Sequence, residues 1–209
     1  MAQSTPAVAT LIVANLIAAL LMSASAHGQG SEQVAPSRIF EALALRDGDT
    51  VCEMGAGDGA LSIAAAARVG SRGHVYTNEL GERLETLRAK VTAAHRPQIE
   101  VVAGAADRTN FPDGACDALF MRNVYHHFAA PGPMGAALAA ALKPGGRLAI
   151  VDFKPHGTEA RMPEDRDEDA THGVSPESVQ RELLDAGFRI DGTENGGGRS
   201  FMVLATRGR

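Results

Sequence analysis

Gly55, Gly57 and Gly59 stand at alternate positions in a short stretch that also holds Glu53 and Asp58. Glycines at this spacing permit a tight turn and let a ligand reach the backbone with no Cβ in the way. Glu53, two residues before the first glycine, would face a pyrophosphate unfavourably. It suits the cationic amino group of a methionine moiety, directly or through water. Asp58 adds a second negative charge to the same loop. Further along, Val75-Tyr76-Thr77-Asn78 leads to Glu79, and an acid about 20 residues past such a loop is placed to accept hydrogen bonds from a ribose diol. The loop by itself also satisfies the dinucleotide pattern, with Ala60 in its last place, so a nicotinamide cofactor is the alternative reading.

These residues need a scaffold that brings strand ends together. Thr50 to Met54 reads as a strand opening into the glycine loop and then into an Ala-rich helix, Ala60 to Val69. The cycle repeats with strand His74 to Asn78, helix Gly81 to Ala94, strands Ile99 to Ala103 and Asp117 to Arg122, helix Gly132 to Leu142, strand Arg147 to Phe153 and helix Pro176 to Ala186. Such alternation predicts an α/β fold, a mostly parallel sheet with helices on both faces. In such sheets a ligand sits beyond the carboxyl ends of the strands, where the order reverses. Phe188 to Thr193 and Ser200 to Thr206 are joined by a link too short for a helix, which predicts an antiparallel C-terminal pair. A helix from Pro36 to Leu45 precedes the first strand.

The chain has 209 residues, 44% of them hydrophobic and 22% charged, with a formal charge of −5. Length and composition fit one globular domain, and the negative balance offers no field to gather nucleic acid. Cys52 and Cys116 each lie in an apolar stretch and read as separate buried thiols rather than a disulfide. Residues 1–27 differ from the rest. Val8 to Met22 is apolar and Ala24-Ser25-Ala26 offers a small-x-small cleavage pattern, although no Lys or Arg precedes Arg38. The expectation is an export signal or a membrane anchor over 1–27, a linker over 28–35 and the domain over 36–209, with cytoplasmic translation from Met22 as the alternative.

Val51-Cys52-Glu53-Met54-Gly55-Ala56-Gly57-Asp58-Gly59, then Glu79, then Asp117 through Phe128, then Leu142-Lys143-Pro144-Gly145-Gly146-Arg147 resemble, in order, the motifs of class I S-adenosylmethionine-dependent methyltransferases. Within that family the chain looks most like small bacterial methyltransferases that carry an export-like leader. The resemblance implies a Rossmann-like seven-stranded sheet, S-adenosyl-L-methionine as cofactor, Glu53, Gly55 and Gly57 around its methionine part, Glu79 at its ribose, and Asn123 beside the sulfonium. The family commonly places an acid after the third strand to meet the adenine. Here that place falls on Ala105, so either Asp107 performs the role or backbone groups of Ala105 and Ala106 do.

A sulfonium already makes its methyl group electrophilic, so the enzyme mainly aligns the acceptor and removes a proton where there is one. Tyr125, His126 and His127 follow the fourth strand at the catalytic edge and are the candidates for that work. Lys154 to Gly173 reads as a solvated lid over the acceptor. Its acids Glu164, Asp165, Asp167, Glu168 and Asp169 lack the spacing of a calcium loop, neither cysteine has zinc-site spacing, and no metal is expected. No Asp/Asn-Pro-Pro-Tyr/Phe sequence follows the fourth strand, which argues against methylation of nucleic-acid bases. The expected acceptor is a small or lipid-like molecule. A binding domain without catalysis is the remaining alternative.

Overall fold

The computed structural model describes residues 34–208 apart from Ala170, together with Met1. The expected leader and most of the linker lie outside the described residues. Seven strands form one sheet in the order β3-β2-β1-β4-β5-β7-β6. They are β1 (Thr50–Met54), β2 (His74–Glu79), β3 (Ile99–Ala103), β4 (Cys116–Arg122), β5 (Leu142–Phe153), β6 (Phe188–Gly197) and β7 (Ser200–Arg207). The helices are α1 (Pro36–Ala42), α2 (Ala60–Val69), α3 (Arg83–Ala93), α4 (Pro131–Ala141) and α5 (Pro176–Asp185), with short 3-10 turns at Tyr125–His127 and Pro163–Asp165. Strands β1 to β5 pair in parallel, whereas β5–β7 and β7–β6 are antiparallel. The Rossmann-like, mostly parallel sheet read from the sequence is the one observed. No described helix is long and apolar enough to cross a membrane.

Side chains alternate between two cores even where the strands read as unbroken apolar runs. Cys52, Met54, Leu119, Met121, Leu148 and Ile150 face α4 and α5, with Met134, Leu138, Val179 and Leu183. Val51, Ala118, Phe120, Ala149 and Val151 face α1, α2 and α3, with Ile39, Leu43, Ala65 and Leu87. Strand order reverses between β1 and β4, and the crevice beyond their carboxyl ends is where the glycine loop emerges.

Two strands run longer than their apolar patterns. β5 begins at Leu142, directly after α4, and takes Lys143-Pro144-Gly145-Gly146 into an irregular pairing with β4. Glycine is needed there, since a Cβ on Gly146 would lie 2.8 Å from the Lys143 carbonyl oxygen. β6 continues through Glu194-Asn195-Gly196-Gly197, so the hairpin to β7 closes on Gly198 and Arg199 alone, with φ of 54° at Gly198.

Cys52 and Cys116 are joined by a disulfide, with 5.9 Å between their Cα atoms. This corrects the reading of two separate thiols. The cause is topological: α2, β2, α3 and β3 separate the cysteines in sequence, yet β1 and β4 are neighbours in the sheet. The bond closes a loop with a sequence separation of 64, for which lost chain entropy in the unfolded state gives about 4 kcal/mol, with measured disulfides spanning ~2–5 kcal/mol. Replacing both cysteines by alanine is expected to lower the unfolding free energy by about 2–4 kcal/mol in urea titration. Equal midpoints for the two proteins would show that the bond contributes nothing.

Candidate active site

The loop after β1 turns through Gly55, Gly57 and Gly59 at φ of 67°, 58° and 79°, a region that side chains with a Cβ rarely enter. Gly55 also answers a packing demand that the sequence does not reveal. A Cβ there would come within 2.5 Å of Val124 Cγ2, in the segment that follows β4. At Gly57 a Cβ would meet no atom within 4 Å and would project into open space at the wall of a cavity.

The end of β2 holds the loop in place. Asn78 Oδ1 accepts the Gly55 N–H at 3.0 Å, and the Asn78 carbonyl accepts that of Ala56 at 2.9 Å. Glu79 accepts the Gly57 N–H at 2.6 Å through Oε2 and the Leu80 N–H at 2.8 Å through Oε1. Asn78 is itself fixed by donating from Nδ2 to the Thr109 carbonyl at 2.7 Å.

Glu53 shares its side of the sheet with Val51, the side that α2 covers. The small residues of α2 let the helix pack closely, and the Ser62 hydroxyl donates to Glu53 while lying 2.7 Å from Thr77 Oγ1. Only 2% of Glu53 is exposed. Burial pushes its carboxyl up to about 8, against the opposing pull of the Ser62 hydrogen bond and the Arg122 charge. A cationic ligand group beside Glu53 would favour the ionised form and release that proton.

The cavity has a volume of about 820 Å³ and is bounded by Glu53 and Arg122 at the strand ends, the glycine loop with Asp58, and Glu79 with Leu80. Gly104, Ala105 and Ala106 close one side, and Asn123, Val124, His127, Phe128 and Ala129 the other. A carboxylate and a guanidinium in one wall match the two charges of an amino acid moiety. Leu80, with Gly104 to Ala106, offers an apolar slot for a planar base. Open space at Gly57 leaves room for a ligand against the backbone, so these residues fit S-adenosylmethionine.

Of the residues singled out from sequence, Glu53, Gly55, Gly57, Asp58, Glu79 and Asn123 come together in this wall. Asn123 sits at φ 56° and donates its N–H to the Val151 carbonyl at 2.9 Å. Asp107 is not in the lining; it points outward, with Arg108 Nε 3.2 Å from its Oδ1, while Ala105 and Ala106 face the cavity. Tyr125 lies apart from the cavity. It is 2% exposed in the core, packed on Phe128, and burial beside Glu182 raises its phenol far above the usual tyrosine range. His126 is buried behind the wall, with Nδ1 2.8 Å from Asp152 Oδ1. Among these three, only His127 reaches the cavity. Asn78, Leu80 and Arg122 also line the cavity, each at or beside the end of a strand, and no motif marks them in the sequence.

The lid is also anchored rather than simply solvated. Arg166 is 2% exposed and pairs with Glu182 of α5, its Nη1 lying 3.2 Å from Oε2. Val174 N–H and the Phe153 carbonyl, 3.0 Å apart, fasten the end of the lid to β5.

Residues 52–150 match the family described as a methyltransferase domain. They are a methyltransferase domain of the S-adenosylmethionine-dependent class, whose cofactor is S-adenosylmethionine, and the nicotinamide reading of the glycine loop is set aside. A solved S-adenosylmethionine-dependent methyltransferase from Aquifex aeolicus superimposes with a TM-score of 0.73 at 26% identity, covering 84% of this chain and 91% of that one. The ubiquinone/menaquinone biosynthesis C-methyltransferase UbiE of Chromobacterium violaceum is 31% identical over 113 residues, 52% of this chain and 45% of the relative. The 27-O-demethylrifamycin SV methyltransferase of Amycolatopsis mediterranei is 28% identical over 166 residues, 76% of this chain and 60% of the relative. The chain thus spans about half of the length of these curated relatives.

The buried Glu53 predicts a pH dependence. The unfolded chain loses this proton near 4.5 and the folded chain near 8, so between those values the folded state holds more protons and its stability falls as pH rises. The contribution is complete below about 4.5 and lost above about 8. Glu53→Gln removes this term, and its melting temperature relative to wild type is expected to climb by several degrees from pH 5 to pH 8.5. A constant difference across that range would place the carboxyl at an ordinary value.

Proposed function

We propose that the chain is an active methyltransferase that moves the methyl group of S-adenosylmethionine to a small-molecule acceptor, lipid-like ones included. The observation that carries this reading is the single cavity in which Glu53 and Arg122, the open glycine loop, and Glu79 with Leu80 follow one another. When bound, S-adenosylmethionine supplies a methyl group already activated by its sulfonium.

The chain's own residues bind and align. Glu53 takes the ammonium and Arg122 the carboxylate of the methionine part. Glu79 accepts from the ribose diol, and Leu80 with the backbone of Ala105 and Ala106 holds the adenine. Asn123 fixes the wall beside the reacting centre. The acceptor lies against His127, Phe128 and Ala129, at the end of the cavity away from Leu80. Catalysis is then mainly a matter of approach geometry, which is worth ~7–11 kcal/mol in well-oriented reactions. Relatives named for methylation in quinone biosynthesis and of a demethylrifamycin support a small organic acceptor. The negative net charge supports the absence of a nucleic-acid partner.

We also propose that the chain works outside the cytoplasm, released or tethered by its N-terminal segment. The Cys52–Cys116 disulfide supports this, because such bonds persist mainly in oxidising compartments. The mass of the mature N-terminus and membrane fractionation check it. A cytoplasmic product that begins at Met22 and holds both thiols reduced would refute export.

Glu79→Ala is expected to weaken S-adenosylmethionine binding about 10- to 150-fold in calorimetry, the loss of hydrogen bonds to a charged group worth ~1.5–3 kcal/mol. Gly57→Val is expected to abolish binding in a protein that still folds, since the new side chain would occupy the open space of the cavity. Production of S-adenosylhomocysteine with a panel of quinol, phenol and lipid acceptors tests catalysis. Tight cofactor binding without turnover on any of them would favour a binding domain instead.

A further inference from the structure

Behind the acceptor end of the cavity, the fold gathers three imidazoles and two carboxylates that no sequence spacing announces. His126 and His127 belong to the 3-10 turn after β4, Asp152 ends the buried part of β5, and Asp167 and His172 come from the lid. We propose that His126, His172 and the His127–Asp167 pair form a binding site for a divalent transition metal such as Zn(II). The geometry is that of a supported ligand set. Asp152 is fully buried and accepts from the backbone N–H groups of His126, at 3.1 Å, and of Phe153, at 2.8 Å. So held, it takes the Nδ1–H of His126 at 2.8 Å and fixes the tautomer that leaves Nε2 unprotonated. A carboxylate behind a histidine in this manner is the usual outer support of a metal ligand.

That Nε2 faces His172 Nε2 at 3.2 Å. Two nitrogens bound tetrahedrally to zinc at ~2.0–2.1 Å from the ion stand about 3.3 Å apart. A donor atom from each of His126, His127 and Asp167 lies within 4.8 Å of the others, and His172 joins this group through its contact with His126. His127 Nδ1 and Asp167 Oδ1, 2.5 Å apart, share a hydrogen bond whose proton leaves, and whose atoms separate, when the ion binds. The lid brings its two members with their backbone already fixed. Buried Arg166 precedes Asp167 and is held by Glu182, and the Gly173 N–H, just after His172, returns to the Arg166 carbonyl at 3.2 Å. Nitrogen-rich donors with one carboxylate suit Zn, Co or Ni rather than Ca or Mg. A metal here would bind lid to catalytic edge, and His127 would link it to the cavity wall.

The test uses the full chain free of any histidine tag, stripped with a chelator and titrated with Co(II) and then Zn(II). Wild type is expected to bind one equivalent of Co(II) with a visible absorption band that Zn(II) displaces. His172→Ala, on an exposed lid position, and His127→Ala are each expected to weaken binding at least tenfold. Asp152→Asn is expected to weaken it 10- to 100-fold. Failure of wild type to take up a stoichiometric ion would overturn the site, as would equal uptake by wild type and His172→Ala; the two imidazoles would then share only a hydrogen bond. Calorimetry with S-adenosylmethionine in metal-free buffer reports separately on the methyltransferase reading.

Discussion

The amide protons of Gly55 and Gly57 depend on two side chains at the end of a neighbouring strand. The turn that opens the crevice cannot satisfy them from within, and a buried backbone donor without a partner is costly. Asn78 and Glu79 accept them. Everything in the cofactor half of the cavity rests on this arrangement. The turn runs straight into α2, whose Ser62 bonds Glu53, and the space at Gly57 is free. Glu79 therefore has two tasks, shaping the loop and presenting a carboxylate beside it.

The reversal of strand order divides labour along the sheet edge. On the β1 and β2 side, short polar residues and glycines build a wall for a charged, planar ligand. On the β4 and β5 side, Asn123, the histidine-bearing turn and Asp152 meet the lid. Both sides use one device, a polar residue in the last position of a buried strand, where the side chain leaves the apolar core but is not yet in water. Glu53, Asn78, Arg122 and Asp152 all stand at or next to such positions.

Sequence made the sheet legible because periodicity, glycine turns and strand lengths all agree there. It also marked Glu53, the glycine loop, Glu79 and Asn123, whose chemistry is local to a strand end. Contacts between distant segments were not legible. The pairing of Cys52 with Cys116 follows from β1 and β4 being neighbours, which spacing does not encode. Gly55 answers to Val124, far along the chain. Tyr125 shares a turn with His127, yet a 3-10 turn sends side chains two positions apart to different places, one into the core and one to the cavity. Asp107 and Ala105 lie too close together in sequence for a count from β4 to decide which faces inward. The lid read as solvated because its charges are dense, and the burial of Arg166 shows only once α5 is in place.

The disulfide has a further meaning when seen as a ring. Residues 52 to 116 form a covalent circle that contains the glycine loop, α2, β2, α3 and β3, almost the whole of the cofactor-binding wall. Any single cut within that circle leaves the chain in one piece, with β1 and β4 still joined beneath the crevice. Where proteases are abundant, a nick in the exposed surface of α3 would not by itself part the two banks of the site. The bond thus guards connectivity as well as free energy, and it does so for the half of the domain that holds the cofactor.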